Sequence, residues 1–211
     1  QWYEATGIRI IDGIGSTEMI HIFISARGDD IRPGATGKPV PGYVARLLDE
    51  NNVPIEGAGT GRLAVRGPTG CRYLADDRQR SYVIDGWNVT GDIYERDEEN
   101  YFWFVSRADD MIVSSGYNIA APEVENALLT HESVAEAAVI GVPDEERGHI
   151  VKAFVVLTPT TPANHATVQT LQDHVKQAIA PYKYPRAIEF VAELPKTLTG
   201  KLQRYRLRER S

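Results

Sequence analysis

The feature that most constrains this chain is a single change of rhythm along it. Up to about Tyr101, short β-rich runs alternate with Gly and Pro: IRIID at 8–12, MIHIFIS at 19–25, YVARLLD at 43–49 and RLAVRG at 62–67. This is sheet-forming material divided by loops, with no helical period to build on. From Tyr101 onward, strands alternate with helices. PEVENALL at 122–129 places Val124 and Leu128 on one helical face behind Pro122, and Val168, Leu171, Val175 and Ile179 recur at helical spacing. Strands are predicted at 134–142, 150–157 and 187–193, and the polar run PTTPANHAT at 159–167 reads as a loop. The expected class is α+β, with a boundary near Arg107–Asp110 and a C-terminal domain of roughly 100 residues, a usual domain size.

Composition removes several alternatives. With 42% hydrophobic and 25% charged residues among 211, the chain is ordinary globular material, which excludes disorder, collagen and coiled coil. No window approaches the roughly 20 continuous apolar residues needed to span a bilayer, and residues 1–20 lack the regions of a signal peptide, so no membrane partner is expected. The lone cysteine, Cys71, can form neither an internal disulfide nor a structural zinc site, so the fold must rest on burial. A reducing, cytoplasmic setting fits that usage. A net charge of −6 argues against general nucleic-acid binding, which needs a basic face, while leaving room for a small phosphorylated ligand at a local cationic cluster. The opening Gln1-Trp2-Tyr3, without Met, suggests a piece of something longer.

Two glycine loops fail as phosphate signatures. After Gly13-Ile14-Gly15, position 18 is Glu where a dinucleotide fingerprint needs glycine; before Gly200-Lys201, Pro195 stands where a P-loop needs glycine, and Leu202 where it needs Ser or Thr. His21, His131, His149, His165 and His174 show no ligand spacing and have no cysteine partners, which gives a transition-metal site little support. Five polar clusters at turns and strand ends stand out instead. Gly15-Ser16-Thr17-Glu18 offers two hydroxyls for phosphate oxygens and a carboxylate able to hold Mg²⁺. Thr90-Gly91-Asp92 supplies an acid after a strand, suited to accept both hydroxyls of a ribose. Ser106-Arg107-Ala108-Asp109-Asp110 crosses the expected boundary. Ser114-Ser115-Gly116-Tyr117 is a glycine turn that lets a thin ligand approach the backbone. Pro195 to Lys201 is a small-residue loop presenting a lysine. Each also has a bland reading as a cap, a turn, a surface ion pair or a solvated lysine.

Taken in order, GSTE at 15–18, GRLAVRG at 61–67, TGD at 90–92, SRADDMIVSSGYNIAAPEVE at 106–125 and PKTLTGK at 195–201 resemble the adenylate-forming acyl-CoA synthetase family over nearly the whole chain. DGIGSTEMIHIF at 12–23 is similar to the aryl-carboxylate ligases for benzoate and 2-aminobenzoate, with medium-chain acyl-CoA synthetases also near. The resemblance implies a β-rich tail of the large AMP-binding domain at 1–108 and a small mobile α+β domain at 109–211. It implies a carboxylate substrate activated with ATP and Mg²⁺ to an acyl-adenylate, then transferred to coenzyme A. By the same resemblance Lys201 is the catalytic lysine and Asp109 the hinge. Asp12, Gly13, Thr17, Glu18, Asp92 and Arg107 border the nucleotide, with Glu18 on the metal. Ser115, Gly116 and Tyr117 meet coenzyme A, and Gly15, His21 and Ile22 line the acyl pocket, although His21 reads equally well as a structural histidine. Ser106 and Val113 depart from the family's usual glycine and lysine.

In this family the loop that embraces the pyrophosphate end of ATP lies upstream of position 1. The chain is therefore expected to be the C-terminal part of a longer enzyme, inactive or nearly so alone. Two other readings stay open: an amino-acid adenylation module that loads a carrier protein, and a non-catalytic nucleotide-binding module. From Pro195 to Ser211 there are six basic residues, Lys196, Lys201, Arg204, Arg206, Arg208 and Arg210, against the single acid Glu209, so this segment is expected to present positive charge to ATP.

Overall fold

Alternating burial along the early strands builds the first of two units, Gln1–Ala108; the second is Asp109–Ser211. The computed structural model describes residues 2–70, 73–75 and 77–210, apart from the side chains at 78 and 81. Cys71 and Ser211 lie outside the described residues.

The first unit runs α1 (Trp2–Thr6), β1 (Gly13–Gly15), β2 (Ile22–Ser25), β3 (Lys38–Pro39), β4 (Val44–Leu48), β5 (Pro54–Ile55), β6 (Gly59–Arg66), α2 (Arg78–Tyr82), β7 (Val83–Ile84), β8 (Trp87–Arg96) and β9 (Phe102–Arg107). β1, β2 and β3 form a small antiparallel sheet. A larger antiparallel sheet has the order β5-β4-β6-β8, and β7 and β9 share the far edge of β8. Phe23 and Ile24 from the small sheet, with Met19 from its β1–β2 turn, pack with Leu47, Leu63, Val65, Tyr94 and Phe102 from the large one, so a single apolar cluster joins both sheets. Within it, burial pushes the Tyr94 hydroxyl up to about 12; a hydrogen bond with Thr36 pulls the other way, and the nearby charge of Asp92 adds to the rise.

Two expectations are corrected in this unit. IRIID at 8–12 is not a strand: no described strand pairs with it, and Ile8, Ile10 and Ile11 are exposed. β-forming side chains do not make a strand unless a partner ladder takes up their backbone groups. MIHIFIS yields a strand only from Ile22, because residues 16–20 close a turn first, with Ser16 O accepting from Ile20 N at 2.9 Å.

The second unit runs β10 (Met111–Ser114), β11 (Tyr117–Ala120), α3 (Ala121–Leu129), β12 (Val134–Asp144), β13 (Gly148–Leu157), α4 (His165–Ala178), β14 (Ala187–Phe190) and α5 (Arg204–Arg208). β12 and β13 pair antiparallel over most of their length, and β14 returns parallel to β13 after α4. Val124 and Leu128 of α3 and Leu171 and Val175 of α4 are buried on one core with Val139, Val151 and Val155. Their helical spacing predicts this shared burial. The run at 159–167 is a loop only up to Asn164, whose side chain accepts from Thr167 N at 3.0 Å and so caps α4. A second cluster on the other face of the sheet, Ala138, Ile140, Phe154, Leu194 and Leu207, seats α5.

Candidate functional site

The Gly15–Glu18 turn owes its shape to close packing. A Cβ on Gly15 would stand 2.7 Å from the His21 carbonyl oxygen, so glycine is required where β1 and β2 meet at a bulge. Ser16 Oγ accepts from Met19 N at 3.1 Å, and the buried Met19 nails the turn to the core. Thr17 is left exposed, and Glu18 is half-buried with its Oε1 accepting from the Tyr73 hydroxyl. Tyr73, 55 residues away, carried no signal in the sequence. Asp12 is fastened on both sides: its Oδ1 accepts from Gly13 N at 2.7 Å, and its carbonyl accepts from Ser25 Oγ at 2.6 Å. The His21 ring stacks on Tyr43 at 6.3 Å between centroids, while Ile22 is 47% exposed.

Asp92 and Arg107 come together as direct cross-strand partners on β8 and β9. Arg107 Nη1 donates to Asp92 Oδ1 at 3.0 Å and to Thr90 O at 3.3 Å. Thr-Gly-Asp lies inside β8, not after a strand as expected. Gly91 takes φ +77° there, and a Cβ on it would stand 3.1 Å from the Arg107 guanidinium. The glycine therefore both bends the strand and leaves room for the arginine. Tyr94, two residues on, shares its core cluster with Met19, which ties this pair and the Gly15–Glu18 turn to one packed body.

In the second unit, Ser115 and Gly116 join β10 to β11 as a two-residue turn with φ of +49° and +81°, the type I′ geometry that suits a twisted hairpin. Nothing lies within 4 Å of where a Gly116 Cβ would stand. Arg147 secures the turn: its carbonyl accepts from Ser115 N at 3.0 Å, and its Nη1 donates to Ser115 Oγ at 3.0 Å. Tyr117 stacks on Tyr182 with centroids 4.5 Å apart. Asp109 is exposed, and its carbonyl accepts from Arg208 Nη2 at 2.7 Å.

The lysine loop is a tight turn with its ends pinned together. Gly200 N donates to Thr197 O at 2.9 Å with Gly200 at φ +82°, Thr197 N donates to Lys201 O at 2.8 Å, and Lys201 N donates to Thr197 Oγ1 at 3.0 Å. Lys201 itself is exposed, and no described residue pairs with its ammonium. The expected cationic segment needs correction. Arg204 and Arg208 are engaged by Asp110 and Glu125, and Lys196 by Glu136, which leaves Lys201, Arg206 and Arg210 of the six. Net charge along a sequence counts residues, whereas the field at a site depends on which charges the fold has already neutralised.

Among the described residues no group of three or more His, Cys, Asp and Glu could hold a metal ion. His131 and His174 do meet, with ring centroids 4.9 Å apart, but as a packed pair beside Thr130. The half-buried carboxylate of Glu18 is of the type that can hold Mg²⁺, which binds through one or two carboxylates together with substrate phosphates. No described helix is long and apolar enough to cross a membrane.

The family described as AMP-binding enzyme matches residues 1–73, and the AMP-binding enzyme C-terminal domain matches residues 123–201, ending on Lys201. Benzoate–CoA ligase of Thauera aromatica is 47% identical over 99% of this chain and 40% of its own length. The mitochondrial acyl-coenzyme A synthetase ACSM3 of Mus musculus is 42% identical over 100% of this chain and 38% of its own. The crystal structure of the anthranilate CoA ligase AuaEII with anthranoyl-AMP superimposes with a TM-score of 0.87 at 44% identity, covering 99% of this chain and 41% of that one. The chain thus spans about 40% of the length of the first of these curated relatives. On these matches and this fold, the chain belongs to the AMP-binding enzyme family, carrying a stretch of its AMP-binding part and its C-terminal domain.

Proposed function

We propose that the protein is an ATP-dependent carboxylate–CoA ligase acting on an aryl acid such as benzoate or 2-aminobenzoate. The observation that carries the reading is the pinned loop holding Lys201, in a chain whose relatives are named as a benzoate–CoA ligase and an acyl-coenzyme A synthetase. In the first step a carboxylate oxygen attacks the α-phosphorus of ATP, and the bond to the pyrophosphate oxygen breaks. Negative charge gathers on the oxygens around phosphorus, and the Lys201 ammonium stabilises it. Asp92 accepts from the ribose hydroxyls with Arg107 fixing the carboxylate's direction, Thr17 donates to phosphate, and the backbone at Asp12 and Gly13 borders the adenine. Glu18 holds Mg²⁺, which neutralises phosphate charge when bound. In the second step the coenzyme A sulfur attacks the acyl carbon, its proton passes to solvent, and AMP leaves.

For that second step the unit beginning at Asp109 turns about this residue, withdrawing Lys201 and bringing Ser115, Gly116 and Tyr117 to the pantetheine. Gly15, His21 and Ile22 line the acyl side. A reducing, cytoplasmic setting belongs to the proposal on the strength of the single cysteine. A second reading, a medium-chain acyl-CoA synthetase, is supported by the 42% identity to a protein named as an acyl-coenzyme A synthetase.

ATP–pyrophosphate exchange by the full-length natural protein, with a panel of aryl and medium-chain acids, tests the assignment. Exchange driven by an aryl acid supports it. Nucleotide binding with no exchange for any acid points to a non-catalytic binding module. Asp92→Ala is expected to raise the KM for ATP about ten- to a hundredfold, since hydrogen bonds to a charged group are worth about 1.5–3 kcal/mol; an unchanged KM removes Asp92 from the ribose. Gly116→Leu costs roughly 1–2 kcal/mol of stability through its positive φ. With open space around a Cβ there, no clash is expected within the unit. A loss of thioester formation well beyond any loss of adenylation would place this turn at coenzyme A, and equal losses would not.

A further inference from the structure

A tight turn has no core of its own, so the direction of Lys201 is inherited from the contacts that grip the two ends of its loop. On the entering side Leu194 is buried, and Lys196 reaches Glu136 at 2.7 Å. Gln203 N donates to Pro195 O at 2.8 Å and closes the base. On the leaving side stands Arg204, three residues after Lys201. Its Nη2 donates to Glu125 Oε1 at 2.8 Å and Oε2 at 2.6 Å, its Nε lies 3.2 Å from Glu125 Oε1, and its Nη1 donates to Asp110 Oδ2 at 3.1 Å. Glu125 and Asp110 are each 8% exposed. Glu125 Oε1 also accepts from Val139 N at 2.8 Å, which binds the cluster to β12, an edge strand of the sheet. Arg208 completes it, donating to Asp110 Oδ1 at 2.6 Å and to Asp109 O at 2.7 Å.

This cluster joins three places: the first residues of the second unit, the face of α3, and the helix C-terminal to the lysine loop, whose Leu207 is also seated on the sheet. A planar guanidinium forked between two carboxylates fixes direction as well as distance, which an ammonium does not. The Ser115–Gly116 turn is held separately by Arg147, whose own backbone N donates to Asp144 Oδ1 at 2.9 Å. We propose that Arg204, held by Glu125 and Asp110, is a positioning residue for Lys201, acting independently of the Arg147 contacts that hold the Ser115–Gly116 turn. The inference rests on the reading of Lys201 as the adenylation residue. Because Asp109 and Asp110 belong to the same cluster, any rotation at Asp109 carries Lys201 as part of one rigid body.

The test measures two half-reactions of the full-length natural protein: ATP–pyrophosphate exchange with benzoate, and thioester formation from synthetic benzoyl-adenylate and coenzyme A. Arg204→Lys keeps the charge but loses the fork. It should lower the exchange kcat about tenfold or more, since a misplacement near 1 Å can cost about a hundredfold, with thioester formation little changed. Arg147→Ala should move the ratio of the two rates the opposite way. If Arg204→Lys does not fold, Glu125→Gln with Arg204→Met takes its place, because glutamine still accepts from Val139 N while the paired charges disappear together. Equal losses in both half-reactions, or an unaltered exchange rate, overturn the inference. Lys201→Ala in the same assays separates the two levels. Normal exchange by that variant sinks the role of Lys201 and the inference with it, whereas lost exchange with no ratio shift for Arg204→Lys sinks the inference alone.

Discussion

Lys201→Ala should lower adenylation by about a hundred- to a thousandfold, the cost typical of removing one preorganised donor from a developing oxyanion. Thioester formation from preformed adenylate should survive, because the charge that Lys201 stabilises belongs to the attack on phosphorus alone. The variant should fold normally: the side chain is exposed, and the loop's hydrogen bonds run through the Lys201 backbone and Thr197. Pyrophosphate exchange measured beside single-turnover thioester formation decides the matter. Equal loss in both half-reactions would remove Lys201 from its proposed role.

Glu125→Ala carries the largest expected effect on stability. The substitution leaves the Arg204 guanidinium with Asp110 alone and Val139 N, on the edge strand β12, without its acceptor. Removing one partner of a buried ion pair costs about 3–5 kcal/mol, because the survivor's charge remains desolvated. For a unit of this size each kcal/mol moves Tm by about 4–8 °C, so a fall of more than about 10 °C is expected. Glu125→Gln with Arg204→Met should recover most of it. A thermal melt of Glu125→Ala within a few degrees of the parent would show that the cluster is solvated in solution. Stability and catalysis can thus be separated at one cluster: the double variant should melt like the parent and still adenylate poorly.

Much of the second unit was legible in the residues. Apolar spacing at Val124, Leu128, Leu171 and Val175 places α3 and α4, since a helix with one buried face must repeat every three to four residues. The first unit was less readable. IRIID at 8–12 has the composition of a strand and no ladder, and the Thr-Gly-Asp bulge lies within a strand whose length depends on its neighbours β6 and β9. Of the candidate site, the order of the short motifs was visible. Their supports were not: Tyr73 for Glu18, Arg147 for Ser115, and Glu125 with Asp110 for Arg204.

The sequence by itself determined those features that depend only on neighbours along the chain. Glycine stands at Gly116 and Gly200, where φ is positive, and the apolar periods mark the core faces. Only the tertiary structure decided which charges remain free. A cationic segment after Pro195 looked available to an anion, yet Arg204 reaches a carboxylate 79 residues earlier and Arg208 one 98 residues earlier. Such pairs have no period and no local signature. They form because a guanidinium taken out of water must find a carboxylate wherever the packed sheet and helices bring one within about 3 Å.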